Sequence, residues 1–258
     1  THMLMTHTSS IVGGSAYTAN TGEPPYVPLT EILESPGCFT GTEPGRRFRY
    51  SNMGAGMISG VIEGVTGRRF FDYAADQFAA LGMDAGYLRT SIRNTDSISP
   101  ARRADITSWG RVEAAYDTIP LGQLYLLGHG DLIISAQDLA QFAIALAGDG
   151  ATKDAVILSQ ESVDVINTIY FRSAGDGVGL TMNMTDDFVE GRLIHGHSGQ
   201  AYGMVAGLYF DPVDHTGVVF ITNSASTKKA GNGKYQLTVD LMRILYEEVL
   251  GVEYDAGL

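Results

Sequence analysis

The chain has 258 residues, of which 44% are hydrophobic, and this is enough apolar sequence to form a sizeable core. Its 17 Lys and Arg residues against 29 Asp and Glu give a net charge of -12, and no basic run is long enough to line a nucleic acid. No apolar run reaches the roughly 18 residues of a membrane-spanning helix. We therefore expect neither a nucleic-acid partner nor a membrane span.

Cysteine content and the N-terminus leave the cellular compartment open. The single cysteine, Cys38, excludes an internal disulfide, but this agrees with a periplasmic, secreted or cytoplasmic protein. The first residues lack the charged-then-apolar pattern of a signal peptide, and we interpret Thr1 as a cut point and not as a natural start.

The first half of the chain predicts long loops and two packed helices. Residues 9–47 are rich in Gly, Ser, Thr and Pro and are interpreted as a surface loop interrupted by a short helix over 29–35. Apolar residues recur at helical spacing over 52–67 and again over 70–81, which predicts two helices. The segment 84–120 has mixed periodicity and is predicted as loop with short extended pieces.

Two capped helices and a sheet are predicted for the second half. Ser135 and Ser159 are suited to cap helices that extend through Leu146 and Ile169. Alternating apolar residues then predict four strands, over 178–184, 188–194, 203–210 and 217–222. The connection between the last two strands is too short for a parallel crossover, so this pair is predicted to be antiparallel.

A final amphipathic helix over 235–250 is suited to cover that sheet. Helices followed by an antiparallel sheet and its covering helix predict an α+β fold. We expect a mainly helical subdomain with long loops over 1–174 and the sheet with its helix over 175–258, the two forming one interdependent unit.

Tyr50-Ser51-Asn52, at the start of the predicted helix 52–67, is one of several short motifs that occur in a fixed order along the chain. The others are Leu4 to Ser10, Pro44-Gly45, Thr66-Gly67, Leu81-Gly82-Met83, Gly130 to Ile133, Ser135 to Ala140, His195 to Gly199, Asp211-Pro212 and Ile221-Thr222-Asn223. In this order they resemble the β-lactamase-related family of penicillin-recognising serine hydrolases. That family includes class C β-lactamases, DD-peptidases and related esterases. The resemblance covers nearly the whole chain and implies a β-lactamase/transpeptidase-like fold.

The resemblance implies acyl-enzyme chemistry, in which the serine of a Ser-x-x-Lys motif attacks a carbonyl group. Tyr50 matches the tyrosine that takes the serine proton and returns it to the leaving group. Asn52 matches the amide that holds the substrate and the lysine. A phenol has an unperturbed pKa of about 10, so it needs nearby positive charge or a concerted transfer through lysine. Tyr50 and Asn52 are therefore the predicted catalytic residues.

His197-Ser198-Gly199 stands where lactamases commonly carry Lys-Thr-Gly. The resemblance implies a substrate-binding role for His197, Ser198, Gly199 and Gln200. Gly199 would let substrate lie close to the strand edge, and the backbone N–H of Gln200 would complete an oxyanion hole with the N–H of the serine. A neutral histidine gives no fixed cation, which favours an ester or D-amino-acid amide over a β-lactam.

The family's nucleophile motif is missing from its expected place. The Ser-x-x-Lys of this chain, Ser226 to Lys229, follows the last predicted strand in a loop, whereas the nucleophile must begin a buried helix. The family pattern places the motif about fifty residues before Leu4 to Ser10. We therefore expect this chain alone to be inactive. Its expected partners are a missing N-terminal segment or complementary chain, and a small-molecule or peptide substrate.

Other interpretations stay open at this stage. The chain could be a non-catalytic relative that binds peptidoglycan-like peptides or a protein partner. His195 and His197 share one strand face, but spacing places no third ligand, so we predict no metal and no cofactor. Residues 196–200 nearly match Gly-x-Ser-x-Gly, yet they end in Gln200 and precede a strand. His129 and Asp131 either shape the site's wall or serve the loop alone.

Overall fold

Two units make up the chain in the computed structural model, and each is described by itself. The first unit consists of Thr1–Ile98 and Asp105–Ile134, and the second of Ser99–Ala104 and Ser135–Leu258. The structure describes residues 1–19, 26–102, 106–123, 125 and 127–251.

The first unit is built mainly from helices. They are α1 (His2–Met5), α2 (Gly14–Ala19), α3 (Leu29–Glu34), α4 (Asn52–Thr66), α5 (Phe70–Ala80) and α6 (Ile106–Ala115), with short 3-10 turns at Arg89–Ser91, Thr95–Ser97, Tyr116–Thr118 and Leu127–His129. The helices predicted over 29–35, 52–67 and 70–81 are confirmed as α3, α4 and α5.

Helix α6 shows that the loop prediction for 84–120 was wrong in part. The helix contains Gly110 and begins with β-branched residues, which lower helix propensity and hide the pattern in the sequence. Its stability comes from burial, because Val112 and the following Tyr116 lie almost fully inside the unit. Tyr116 stacks on Phe71 with ring centroids 5.7 Å apart.

Both ends of α4 are determined by local interactions. Ser51 caps the start, since its Oγ accepts a hydrogen bond from the backbone N–H of Gly54 at 2.9 Å. Gly67 ends the helix in the left-handed conformation at φ 66°, and its N–H donates to the carbonyl of Glu63 at 2.8 Å. The helix therefore begins immediately after Tyr50.

A close backbone approach holds α4 against residues 125 and 128. A Cβ atom added to Gly56 would collide with the carbonyl oxygen of Tyr125, and one added to Gly128 would lie 2.7 Å from Ser59 Oγ. The Tyr125 side chain is buried and donates its hydroxyl proton to the carbonyl of Val27 at 2.7 Å. Only glycine at these positions lets the two segments pack so closely.

The second unit contains a six-stranded antiparallel sheet. Its strands are β1 (Phe171–Ser173), β2 (Asp176–Val178), β3 (Asn183–Thr185), β4 (Ile194–Ala201), β5 (Met204–Asp211) and β6 (Thr216–Ile221), and they lie in the sheet in the same order as in the sequence. Tyr202 and Gly203, at φ 52° and 84°, form the two-residue hairpin turn between β4 and β5. The predicted antiparallel pairing of the last two strands is confirmed.

Two of the four strand predictions were wrong in their bounds. The segment predicted as a strand over 188–194 is irregular, and the strand begins only at Ile194. Phe188 and Val189 are buried apolar residues that pack in the core without joining the sheet. The segment 178–184 is divided between β2 and β3, because Thr181 turns the chain at φ 61°.

Helices cover both faces of the sheet. On one face α9 (Gln236–Ile244), continued by a π-helical turn at Leu245–Val249, packs Met242 and Tyr246 against Ile194, Tyr209 and Val218. On the other face α7 (Ala136–Ala147) and α8 (Gln160–Ile166) form a second cluster that includes Leu146, Ile166, Leu208 and Phe210. The predicted caps are present, since Ser135 and Ser159 accept hydrogen bonds from Asp138 and Ser162.

The expected division at residue 174 differs from the one observed. Helices α7 and α8 pack on the sheet. The second unit therefore contains the chain from Ser135 onward, together with the short segment Ser99–Ala104. The expected α+β fold is confirmed, with an antiparallel sheet covered by the C-terminal helix. Among the described helices, none is both long and apolar enough for a membrane crossing.

Candidate active site

Tyr50 lies at the end of an extended segment that is held by His7. The His7 ring lies 4.4 Å from the Tyr50 ring and 5.9 Å from the Phe48 ring, measured between centroids. The carbonyl of His7 accepts the N–H of Arg49 at 2.8 Å, and its Nδ1 accepts the N–H of Ser51 at 3.2 Å. Because Nδ1 is an acceptor, a neutral His7 carries its proton on Nε2.

Tyr50 and Asn52 are exposed on either side of an inward-facing serine. The Tyr50 side chain is 51% exposed, whereas Ser51 is 5% exposed and is committed to capping α4. Asn52 is the first residue of α4 and is also exposed. The start of this helix therefore presents a phenol and an amide to solvent from a backbone that the Ser51 cap keeps in place.

Tyr17 is a neighbour of Tyr50 that the sequence did not reveal. Its hydroxyl lies 3.2 Å from Nε2 of His129. Burial raises the pKa of Tyr17, and the charge of a Tyr50 phenolate would raise it further. Tyr17 comes from α2, in a Gly- and Ser-rich stretch without any motif, so no sequence pattern indicated it. His129, which was predicted to shape the wall of the site or to serve its loop, contacts this tyrosine.

Asp131 occupies a less polar environment than an ordinary surface carboxylate. Burial raises the pKa of its carboxyl group. Burial also raises the pKa of Tyr87 to about 12, with a smaller contribution from the Asp131 charge. The Tyr87 phenol therefore ionises less readily than an ordinary tyrosine.

In the second unit, the first part of β4 pairs with a strand on each side. From His197, where the predicted binding motif begins, β4 pairs with a strand on one side. Ile194, His195 and Gly196 pair with β3, and the whole strand pairs with β5. From His197 to Ala201 the described residues provide a partner strand only on the β5 side. The other edge of this part of β4 presents backbone groups to which an extended ligand could add.

The two glycines of β4 differ in what they do. An added Cβ at Gly196 would collide with the carbonyl oxygen of Leu208, so close packing between strands requires glycine there. At Gly199 the added Cβ would meet only the Cβ of Ala206, at an ordinary 3.7 Å. Packing against the described residues therefore does not explain why position 199 is glycine.

The two histidines of β4 have different environments. His195 is 4% exposed, and its Nδ1 lies 2.9 Å from Oδ1 of Asn167, so this nitrogen carries a proton. Burial lowers the pKa of His195, partly offset by the charge of Asp211. His197 is half-buried, and burial lowers its pKa as well, with a hydrogen bond to the Ser198 backbone opposing the shift. Both rings are neutral at pH 7.

The alternation of β4 places its side chains on two faces. His197 pairs with Leu208, which packs on the α7 side, so the next residue, Ser198, faces the α9 side. Ser198 hydrogen-bonds Tyr209, whose pKa burial raises to about 12. Gln200 Oε1 accepts a long hydrogen bond of 3.5 Å from the Tyr235 hydroxyl. The Ser198 and Gln200 side chains therefore both have hydrogen-bond partners within the second unit.

The structure also bears on metal ligation and on the Ser-x-x-Lys sequence at Ser226 to Lys229. Within the described residues, no group of three or more His, Cys, Asp or Glu side chains could hold a metal ion. Ser226 and Lys229 lie in an exposed loop, where Lys229 Nζ stands 3.2 Å above the centroid of the Tyr235 ring. This serine begins no helix, so it lacks the setting of the family's nucleophile.

Comparison with known proteins decides the family. The model of the Beta-lactamase family matches residues 1–241. The chain belongs to the beta-lactamase family. No curated protein sequence matches it significantly.

Solved structures share the fold of this beta-lactamase family member at low sequence identity. An octameric penicillin-binding protein homologue from Pyrococcus abyssi is 21% identical with a TM-score of 0.66, and the match covers 96% of this chain and 55% of the homologue. A D-stereospecific amidohydrolase from Streptomyces sp. is 18% identical with a TM-score of 0.66, covering 98% and 72%. The D-amino acid amidase from Ochrobactrum anthropi SV3 is 20% identical with a TM-score of 0.66, covering 94% and 69%. The chain thus spans about half the length of the first of these proteins.

Within this beta-lactamase family fold, the predicted site residues form two groups. Tyr50 and Asn52 lie together at the start of α4 in the first unit. His197, Ser198, Gly199 and Gln200 lie together on the half-paired part of β4 in the second unit. His7 and Tyr17 add a second ring and a second phenol to the first group.

Proposed function

We propose that this chain supplies two parts of an acyl-transfer site of a serine hydrolase. Tyr50 and Asn52 are proposed as catalytic residues, and His197 to Gln200 as the strand that binds substrate. The serine and lysine of the nucleophile motif are proposed to come from a segment outside this sequence. The proposed reaction forms an acyl-enzyme from an ester, a D-amino-acid amide or peptide, or a β-lactam and then hydrolyses it.

The observation that carries this proposal is the exposure of Tyr50 and Asn52 on either side of Ser51, the serine that caps α4. Ser51 turns inward to accept the Gly54 N–H, and this leaves the phenol and the amide exposed on a rigid helix start. A tyrosine used only for packing would be expected to bury more of its ring. Exposure on a fixed backbone suits a group that exchanges a proton with a substrate-bound atom.

The open edge of β4 supports the substrate-binding half of the proposal. Packing against the described residues leaves Gly199 unexplained, and a ligand backbone lying against the strand would account for it. His197 is neutral at pH 7 because burial lowers its pKa, so it offers a hydrogen bond and not a cation. This environment favours a neutral amide or ester next to the strand over a group that needs a fixed positive charge.

The distribution of lysine supports an external source for the catalytic cation. The chain's four lysines are Lys153, Lys228, Lys229 and Lys234, and none of them follows a serine by three positions within a helix, which is the arrangement of the family's nucleophile motif. Tyr50 would need a nearby positive charge to act as a base at neutral pH, since a phenol otherwise stays protonated. The proposed segment brings the serine and this lysine together.

The D-stereospecific amidohydrolase and the D-amino acid amidase among the similar structures suggest which substrates to test first. We would express the chain together with the reading frame upstream of Thr1. The product would be assayed with D-amino-acid amides, chromogenic esters and a cephalosporin. Turnover of one of these substrate classes is the expected result.

Tyr50→Phe removes the proposed proton carrier and keeps the ring that contacts His7. We expect kcat/KM to fall by about 100- to 10,000-fold, the usual contribution of a general acid or base. Tyr73→Phe on α5 is the matched control, and it should leave kcat/KM unchanged. Equal activity of the Tyr50→Phe variant and the wild type would refute the role of this phenol.

A non-catalytic role is the alternative, favoured by the position of Ser226 in an exposed loop instead of at the start of a buried helix. The upstream reading frame distinguishes the two. A native product without an upstream Ser-x-x-Lys, together with saturable binding of a peptidoglycan-like peptide and no turnover, would establish a binding protein.

A further inference from the structure

A small polar cavity in the first unit lies beside the segment that carries Tyr50. Its volume is about 60 Å³, which is room for several water molecules. Seven residues line it: Thr8, Ser10, Thr40, Thr42, Glu43, Arg47 and Arg49. From this cavity we infer a binding site for a small oxyanion, either a phosphate or a carboxylate group, held by Arg47 and Arg49.

Two arginines without protein partners carry the inference. In the described part of the chain, neither the Arg47 nor the Arg49 guanidinium has a hydrogen-bond or ion-pair partner. Both are exposed and lie two residues apart in an extended segment, so their side chains leave the backbone on the same side. Phe48 and Tyr50, which alternate with them, both contact His7.

The walls of the cavity are held in place by backbone hydrogen bonds. Gly45 donates to the carbonyl of Thr8 at 2.8 Å, Thr40 donates to that of Ser10 at 2.9 Å, and Arg49 donates to that of His7 at 2.8 Å. These bonds join two stretches of chain, 7–10 and 40–49, around one space. The backbone from which Arg47 and Arg49 extend is therefore fixed before a ligand binds.

The hydroxyl groups mostly stabilise the walls. Ser10 Oγ donates to the carbonyl of Thr42 at 2.6 Å, so the hydroxyl of Thr40, 2.6 Å from Ser10 Oγ, must donate to it. Thr8 Oγ1 likewise forms a hydrogen bond with another hydroxyl, Thr6 Oγ1, at 2.9 Å. The hydroxyl of Thr42 forms no hydrogen bond within the described residues, so it can donate into the cavity beside the two guanidinium groups.

The charge balance of the cavity favours an anion although Glu43 also lines it. Arg46 lies 3.1 Å from the Glu43 carboxylate and offsets its charge. The cavity therefore keeps the two positive charges of Arg47 and Arg49, on a chain whose net charge is -12. Guanidinium groups bind carboxylate and phosphate oxygens through paired N–H donors, which makes such anions the best chemical match.

Titration calorimetry of the full chain in a low-salt buffer without phosphate tests the site, with inorganic phosphate, sulfate and acetate titrated separately. We expect saturable 1:1 binding and a loss of about tenfold or more in affinity for Arg47→Gln/Arg49→Gln, because two charge-assisted contacts disappear. Glu43→Gln should bind the anion more tightly. Binding of phosphate and sulfate but not acetate would assign a tetrahedral oxyanion, and binding of acetate would extend the site to carboxylates.

Single-charge variants at positions 47, 49 and 172 separate a specific site from a general charge effect. Arg172→Gln on β1 changes the net charge by the same amount as either single variant in the cavity, and its affinity should stay within about twofold of wild type. Urea unfolding midpoints of all variants establish that they are folded. Absence of saturable binding by all three anions, or equal losses at positions 47, 49 and 172, would overturn the inference. The measurement needs no turnover, so its outcome is independent of the proposed hydrolase activity.

Discussion

Gly56 gives the sharpest test of how α4 is held in place. Replacing Gly56 by alanine adds a Cβ that would overlap the carbonyl oxygen of Tyr125 and lie 3.1 Å from its carbonyl carbon. Both atoms belong to backbone, so no side-chain rotation can relieve the overlap. Either α4 or the backbone at Tyr125 must move.

The expected magnitude follows from two opposing terms. Alanine in a helix interior is favoured over glycine by about 1 kcal/mol. Overpacking costs about 3 kcal/mol at the upper end of its usual range, which applies here because the opposing atoms are backbone. We therefore expect Gly56→Ala to lower the free energy of unfolding by about 2 kcal/mol, which corresponds to a fall in Tm of about 4–8 °C.

Gly64 provides the matched control in the same helix. An alanine Cβ at Gly64 would meet no atom within 4 Å, so only the propensity term remains. Gly64→Ala should raise the free energy of unfolding by about 1 kcal/mol and the Tm by about 2–4 °C. Thermal unfolding followed by circular dichroism measures both variants. A Gly56→Ala variant as stable as Gly64→Ala would refute the close approach of α4 to residue 125.

Three further predictions concern other buried polar groups. Glu63, 3% exposed, accepts the backbone N–H groups of Phe70 and Gly122, so Glu63→Ala should cost about 2–4 kcal/mol in urea unfolding; an unchanged midpoint would exclude these bonds. Ser51→Ala removes the cap of α4 and should cost about 1 kcal/mol in urea unfolding; a midpoint equal to that of the wild type would exclude this capping bond. Burial lowers the pKa of His195, so the unfolded state binds more protons below its ordinary pKa and stability should fall as the pH drops below about 6.5. His195→Asn should flatten this pH dependence of the urea midpoint.

The sequence predicts those helices whose signals are local. Apolar periodicity was enough to place α4, and Ser135 and Ser159 as predicted caps placed the starts of α7 and α8. Helix α6 was missed because Gly110 and β-branched residues weaken its propensity, and burial stabilises it instead. The segment 188–194 was wrongly predicted as a strand, because an apolar run shows burial without showing whether the backbone joins a sheet.

The candidate site shows the same limit. Tyr50 and Asn52 could be predicted because they share a short motif, and Gly199 because it stands in another. His7 contacts Ser51 across 44 residues of sequence, and Tyr17 contacts His129 across 112. Such pairings depend on the tertiary fold, and no local pattern in Gly- and Ser-rich loops reveals them. The site assignments themselves stay predictions until the variants are measured.

The order of strands in the sheet has a consequence for the speed of folding. Strands that are neighbours in the sequence are neighbours in the second unit's sheet, so each pairing closes a short loop, such as residues 202–203 between β4 and β5. The first unit instead joins Val27 to Tyr125 and Arg69 to Ile119, across 98 and 50 residues. Folding rates fall as the sequence separation of contacts grows. The sheet is therefore expected to form early. The helical core of the first unit is expected to form later, once its distant segments come into contact.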